Sequence, residues 1–182
     1  EVGAGMVQCL SAVKEELERT GLPEVKEGEK LGVGIACGYK NVGLGSNIPD
    51  KAGARISLQK DGKFLVQHGA ADMGQGSVQV VATITSRVLG IPISQIRVHT
   101  GDTREDPHGG MTTASRATFV TGNAVLKAAE GVKQLMWQKV ADKFEVLPEN
   151  LVIENGMFFN ANTRQELVSL EDLALTMGEI SY

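Results

Sequence analysis

At 182 residues the chain is long enough for one sizeable core or two small lobes, and its 42% hydrophobic content is that of a soluble globular protein. No apolar run approaches the roughly 20 residues that span a bilayer, so a membrane protein is not expected. A net charge of −4, with scattered basic residues and 4% aromatics, offers nucleic acid neither a phosphate-tracking stripe nor stacking platforms. The start, Glu1-Val2-Gly3-Ala4-Gly5, has no signal-peptide pattern, and the missing initiator Met suggests a fragment or a processed chain. Cys9 and Cys37 stand apart with no C-x-x-C, which fits neither a disulfide framework nor a zinc site and points to a reducing, cytoplasmic setting.

Residues 5–19 place Met6, Val7, Leu10, Val13 and Leu17 at helical spacing, and Gly21 and Pro23 end that helix. A charged connection follows to residue 30. Residues 31–40, apolar and punctuated by Gly32, Gly34 and Gly38, predict a buried strand packed closely by other backbone. Residues 41–50 form a loop. Residues 52–60 and 63–69 alternate apolar and polar across Asp61-Gly62, the strongest hairpin signal in the chain. That hairpin delivers the backbone to Asp72-Met73-Gly74-Gln75-Gly76.

Residues 77–89 predict a helix closed by Gly90-Ile91-Pro92, although Val, Ile and Thr are only fair helix formers. Residues 95–100 alternate as a strand. A polar loop over 101–113 leads into a long helix from about Ser115 to Phe144, with Ala117, Val120, Ala124, Val125, Ala128, Val132, Leu135 and Met136 on its buried side. A hairpin around Asn155-Gly156 and a last helix capped by Ser169 close the chain. The fold class is α+β: a β-hairpin–helix–strand–helix core with a flanking helix and a C-terminal hairpin plus helix. We read residues 1–30 as helix and linker, 31–145 as the core that carries the loops, and 146–182 as the C-terminal part of one domain or partial domain.

Two loops share one design. Gly74-Gln75-Gly76 and Gly109-Gly110-Met111-Thr112-Thr113-Ala114-Ser115 each feed a helix N-terminus, where unpaired N–H groups and the macrodipole favour anions. Together they can clasp one elongated, phosphate-bearing ligand, while plain capping explains either loop alone. Gln75 is harder to explain by capping, since its amide both donates and accepts. No G-x-G acquires the third glycine of a dinucleotide fingerprint, and there is no phosphate-loop lysine and no G-x-S-x-G elbow. His68, His99 and His108 lie far apart: the first two read as packing or surface residues, the third as part of a solvated loop. Asp102, Glu105 and Asp106 read as an exposed charged loop rather than a cation site. Arg116 has two even readings, pairing with a carboxylate or reaching an anion. No residue is an obvious nucleophile or general base.

Met73-Gly74-Gln75-Gly76, Leu89-Gly90-Ile91-Pro92, Gly101-Asp102-Thr103, Gly109 through Arg116 and Thr121-Gly122-Asn123-Ala124-Val125, in this order and at these intervals, resemble the molybdenum-binding part of the xanthine dehydrogenase and aldehyde oxidase family. The resemblance is strong over residues 31–130. It implies a molybdopterin cofactor, often a cytosine dinucleotide form in bacteria, with Gln75 bonded to the metal's oxo group or the pterin and Gly74 and Gly76 admitting the backbone. It implies that Ala114 faces the molybdenum centre through its backbone and that Thr112, Thr113 and Ser115 hold the pterin or its pyrophosphate. Such enzymes hydroxylate a carbon of an aldehyde or N-heterocycle with oxygen from water, a glutamate serving as base, and pass electrons to iron–sulfur clusters and flavin on other domains or subunits.

The family's Gly-Gly-Gly-Phe-Gly-Gly and Ala-Phe-Arg-Gly-Phe-Gly segments are absent. So is the Gly-x-Gly-Glu segment with the catalytic base, for which Gly178-Glu179 lacks the context. The resemblance therefore implies an internal piece of a molybdenum subunit, whose remaining segments are its partners and which is inactive in isolation. A non-catalytic binding or assembly module, or a separate subunit of a multi-subunit molybdoenzyme, is the alternative.

Overall fold

The computed structural model describes residues 5–38, 40–178 and 180–182. The expectations at residues 1–4 and at Glu179 lie outside the described residues. The chain divides into two compact units, Glu1–Lys40 and Asn41–Tyr182.

In the first unit, helix α1 (Met6–Thr20) forms as its periodicity predicts. Gly21, at φ 71°, ends it by donating its N–H to the Leu17 carbonyl. None of its residues is buried; Val7 and Val13 are well exposed. The buried strand expected over 31–40 is not seen among the described residues of that stretch: 31–38 and 40 are exposed and have no strand conformation. A strand is stabilised by a partner and a covered face, and three glycines bring neither side chains to pack nor low conformational entropy.

The second unit holds a four-stranded sheet in which residues 96–100, 64–68, 54–58 and 180–181 lie side by side in that order. Strands β1 (Ala54–Leu58) and β2 (Phe64–His68) form the expected antiparallel hairpin, with Leu58 opposite Phe64 and Ala54 opposite His68. Gly62, at φ 73°, supplies the left-handed residue of its turn. Strand β3 (Ile96–Thr100) lies parallel to β2, and helix α2 (Ser77–Leu89) makes the crossover that a parallel pair requires. Helix α3 (Gly122–Phe144) packs on α2 and β1. The α-helix begins several residues after the expected start at Ser115, because residues Ala117–Thr121 wind as a π-helical turn before α3. Val125, Ala128, Ala129, Val132, Met136 and Val140 bury the face of α3, while Leu135, expected inside, is exposed.

A second sheet, β4 (Leu151–Glu154), β5 (Met157–Asn160) and β6 (Glu166–Ser169), carries the expected hairpin. Asn155 and Gly156 both have positive φ, the signature of a type I′ turn. Ser169 caps helix α4 (Leu170–Thr176) by accepting from the Asp172 N–H. One hydrophobic core joins both sheets. Phe64, Ile56 and Val66 fill it under α3, and Phe158 meets Trp137 edge to face at 4.9 Å.

The last strand, β7 (Ile180–Ser181), pairs with β1, and Tyr182 extends it by exchanging backbone hydrogen bonds with Ile56. Its ring lies over Gly131 of α3, where a Cβ would come within 2.4 Å of the ring. Gly131→Ala should therefore forgo the usual helix gain and lower stability by about 1 kcal/mol. In a Tyr182→Ala background the same change should raise it by about 0.5–1 kcal/mol. Thermal denaturation of the four-member cycle decides, and equal effects in both backgrounds would sink the account.

Candidate functional site

β2 and β3 are parallel, so the loops that follow them leave the same end of the sheet. These are the two glycine-containing loops. Residues 69–76 follow β2 and residues 101–116 follow β3. They are locked together where backbone crosses backbone. A Cβ on Gly109 would lie 2.3 Å from the Gly69 carbonyl carbon, and one on Gly69 would lie 2.5 Å from the Gly109 nitrogen. Ala71 donates its N–H to the Thr112 hydroxyl at 3.0 Å, and the Thr100 hydroxyl donates to the Ala70 carbonyl at 2.8 Å.

Arg116 is the second lock. It is 2% exposed, and its guanidinium pairs with Asp50, donates to the carbonyls of Gly109 (2.8 Å) and Met111 (2.7 Å), and reaches the Lys51 carbonyl at 2.9 Å. Of its two even readings the carboxylate pair is the one formed. The fork thus ties the 109–111 segment to the 50–51 segment. Gly43 and Gly53 add backbone bonds to Ala114 and His108.

Met73, Gln75, Thr112, Thr113, Ala114, Ser115, Arg116 and Ala117 line one cleft of about 340 Å³. Both predicted loops therefore contribute to a single concavity. Gly74 and Gly76 sit on either side of Gln75 at φ 100° and 79°, with nothing within 4 Å of an added Cβ. Their requirement is conformational rather than one of space. Ala114 and Ser115 adopt positive φ in succession, 52° and 51°, at a cost of about 1–2 kcal/mol each. Strain of this kind, followed by a π-turn, is the pattern of functional backbone.

At the α2 N-terminus, expected to offer its N–H groups to an external anion, the Asp72 carboxylate already accepts from the N–H groups of Gly74, Gly76 and Val78 and from the Ser77 hydroxyl, so the protein supplies an anion of its own there. Those bonds, that from Val78 first, hold the Asp72 pKa below the usual carboxylate value. Gln75 does cap its own loop: its Oε1 accepts from the Met73 N–H and its Nε2 donates to the Ala71 carbonyl at 2.8 Å. One amide N–H and one lone pair remain for a ligand. Asp106, expected in an exposed acidic loop, is nearly enclosed. Burial pushes its pKa up, but bonds from His99 Nδ1 and the Asp102 N–H outweigh that and hold it low. The same contact raises the pKa of His99. Among the described residues no group of three His, Cys, Asp or Glu is placed to hold a metal ion, and no helix is long and apolar enough to cross a membrane.

Residues 8–181 match the molybdopterin cofactor-binding domain family. The chain belongs to this family. The domain is 30% identical over 178 residues to the xanthine dehydrogenase molybdenum-binding subunit of Escherichia coli O157:H7, covering 94% of this chain and 24% of that protein. It is 27% identical over 160 residues to the nicotine 6-hydroxylase large subunit of Paenarthrobacter nicotinovorans, covering 84% of this chain and 20% of that one. The domain thus spans a quarter or less of these two relatives. Its fold is that of part of Cu,Mo-CO dehydrogenase, with a TM-score of 0.65 at 23% identity over 100% of this chain and 24% of that one. The expected family and α+β class are both borne out.

The cleft suits such a group. It offers the spare amide valences of Gln75, the hydroxyls of Thr113 and Ser115, which have no protein partner among the described residues, and a strained backbone at Ala114.

Proposed function

We propose that this domain supplies one part of the cofactor cleft of a molybdenum hydroxylase acting on an aldehyde or N-heterocycle, and that the catalytic glutamate lies elsewhere in the assembly. The observation that carries the reading is the convergence of Gln75 and Thr112–Ser115 on one cleft in a chain of the molybdopterin-binding family. Gln75 orients the bound group through its free amide N–H and lone pair, with Gly74 and Gly76 holding the backbone around it. Thr113 and Ser115 donate hydroxyls to polar atoms of the pterin or a pyrophosphate, while Thr112 holds the two loops at a fixed spacing. Ala114 presents backbone at close range. When bound, the cofactor supplies the redox chemistry.

The cofactor assigned to the cleft is molybdopterin; in a cytosine dinucleotide form its pyrophosphate would be the group offered to the Thr113 and Ser115 hydroxyls. The remaining segments of the molybdenum subunit and iron–sulfur and FAD domains or subunits are the assigned partners, in the cytoplasm. In the full-length protein, Gln75→Ala should lower molybdenum content and turnover at least tenfold, with secondary structure intact. Unchanged molybdenum content, read by elemental analysis, together with unchanged turnover would show that Gln75 does not hold the cofactor.

A further inference from the structure

Strand β2 ends on a histidine sealed from water. Alternation puts His68 on the face of Phe64 and Val66, and all three are 0% exposed. Its Nδ1 accepts the Ala70 N–H at 3.2 Å, which fixes the proton of the neutral ring on Nε2. That Nε2 is buried with no partner among the described residues.

The bond to Ala70 lies at the root of the first loop. Gly69 crosses Gly109, Ala70 is held on its N–H by His68 and on its carbonyl by Thr100, and Ala71 reaches Thr112. Four successive residues therefore fix the spacing of the two jaws. Only His68 among them titrates near neutral pH.

We propose that His68 is an acid-sensitive positioning residue: its neutral ring holds Ala70 and, through Ala71 and Thr112, the spacing of the two cofactor loops, and protonation at Nδ1 releases them. The proton comes from solvent. Once it is on Nδ1, two N–H groups face each other and the Ala70 N–H has lost its acceptor. The charged groups that act on the ring are Asp106, from the loop after β3, and Asp72, from the loop after β2; its ladder neighbours Ala54 and Thr100 carry no charge. Burial lowers the pKa of His68 below 6.5, and the attraction of Asp106 and Asp72 for the cation does not overcome it. The folded value thus lies below the unfolded one, so the stability from the neutral ring is complete above about pH 6.5 and is lost as pH falls from there through the folded value.

The proposal rests on the reading of these loops as cofactor jaws, but its test needs no cofactor. Hydrogen–deuterium exchange of the full-length protein, followed by mass spectrometry and corrected for intrinsic rates, should show peptides over residues 69–73 exchanging at least tenfold faster at pH 4.5 than at pH 7.5. Peptides from α3 should stay protected. His68→Gln, which keeps an acceptor but does not titrate, should flatten the response, and His99→Gln should leave it intact. A flat wild-type profile, a response that survives His68→Gln or vanishes in His99→Gln, or a parallel rise in α3 overturns the proposal. Should His68→Gln not fold, the wild type and His99→Gln still decide. Failure of the Gln75→Ala test alongside success here would remove the cofactor assignment and leave the device standing.

Discussion

Replacing Arg116 with methionine is expected to destabilise the second unit by about 3–5 kcal/mol, the cost of breaking a buried ion pair from one side. The substitution keeps most of the volume, so a cavity is not the cause. What it removes is a fork that satisfies the Asp50 carboxylate and the carbonyls of Gly109, Met111 and Lys51 at once. Each carbonyl left dry adds its own desolvation penalty. Arg116→Lys should rescue little, because a compact ammonium cannot span that set of acceptors from one position. Chemical denaturation at constant m-value measures the loss, and a change below about 1 kcal/mol for methionine would show that the fork is dispensable. In the full-length protein, molybdenum content should fall with it.

Gly109→Ala is the second large effect, and its cause is purely steric. The new Cβ would meet Gly69 carbon at 2.3 Å, Gly69 oxygen at 2.6 Å and Ala70 nitrogen at 2.7 Å, all backbone atoms of the opposing loop. No rotamer change relieves such a contact, so the loops must part. Overpacking of this kind costs about 1–3 kcal/mol or more. Gly110→Ala provides the comparison, since there the left-handed φ of 68° and the Arg116 guanidinium at 2.9 Å both oppose a side chain. The direct readout for Gly109→Ala is loss of protection at Ala71, whose bond to Thr112 spans the gap. A variant with wild-type stability and wild-type protection there would refute the clamp.

Much of the second unit is legible in its sequence because its signals are local. Asp61-Gly62 and Asn155-Gly156 write their turns directly, Gly90 and Pro92 end α2, and Ser169 with Asp172 starts α4. Features that depend on distant partners are not legible. Residues 31–40 have a strand's composition, yet the described residues among them form no strand, and composition cannot report a partner. Strand β7 is two residues long, too short for alternation to register, and β6, though as long as β4 and β5, has no tight-turn dipeptide such as Asn155-Gly156 to announce it. The π-turn at Ala117–Thr121 leaves no mark on periodicity that a helix start at Ser115 would not also leave. At the site, the loops and Gln75 stand out because glycines flank a side chain that no ordinary turn needs. The roles of Asp72 and Arg116 do not, since a capping carboxylate and a buried fork are defined by what they reach: Val78 for one, Asp50 and three carbonyls for the other. His68 is hidden for the same reason, as strand alternation marks it for packing and only the Ala70 contact gives it a further role.

The parallel pairing of β2 with β3 also sets an order of events during synthesis. A chain emerging from the ribosome completes the β1–β2 hairpin early, but Thr112 and Arg116 arrive more than forty residues after His68. Until they are out and α2 has carried the chain across, the first loop has nothing to close against. Closing the cleft is thus a non-local event, completed only once both loops have emerged.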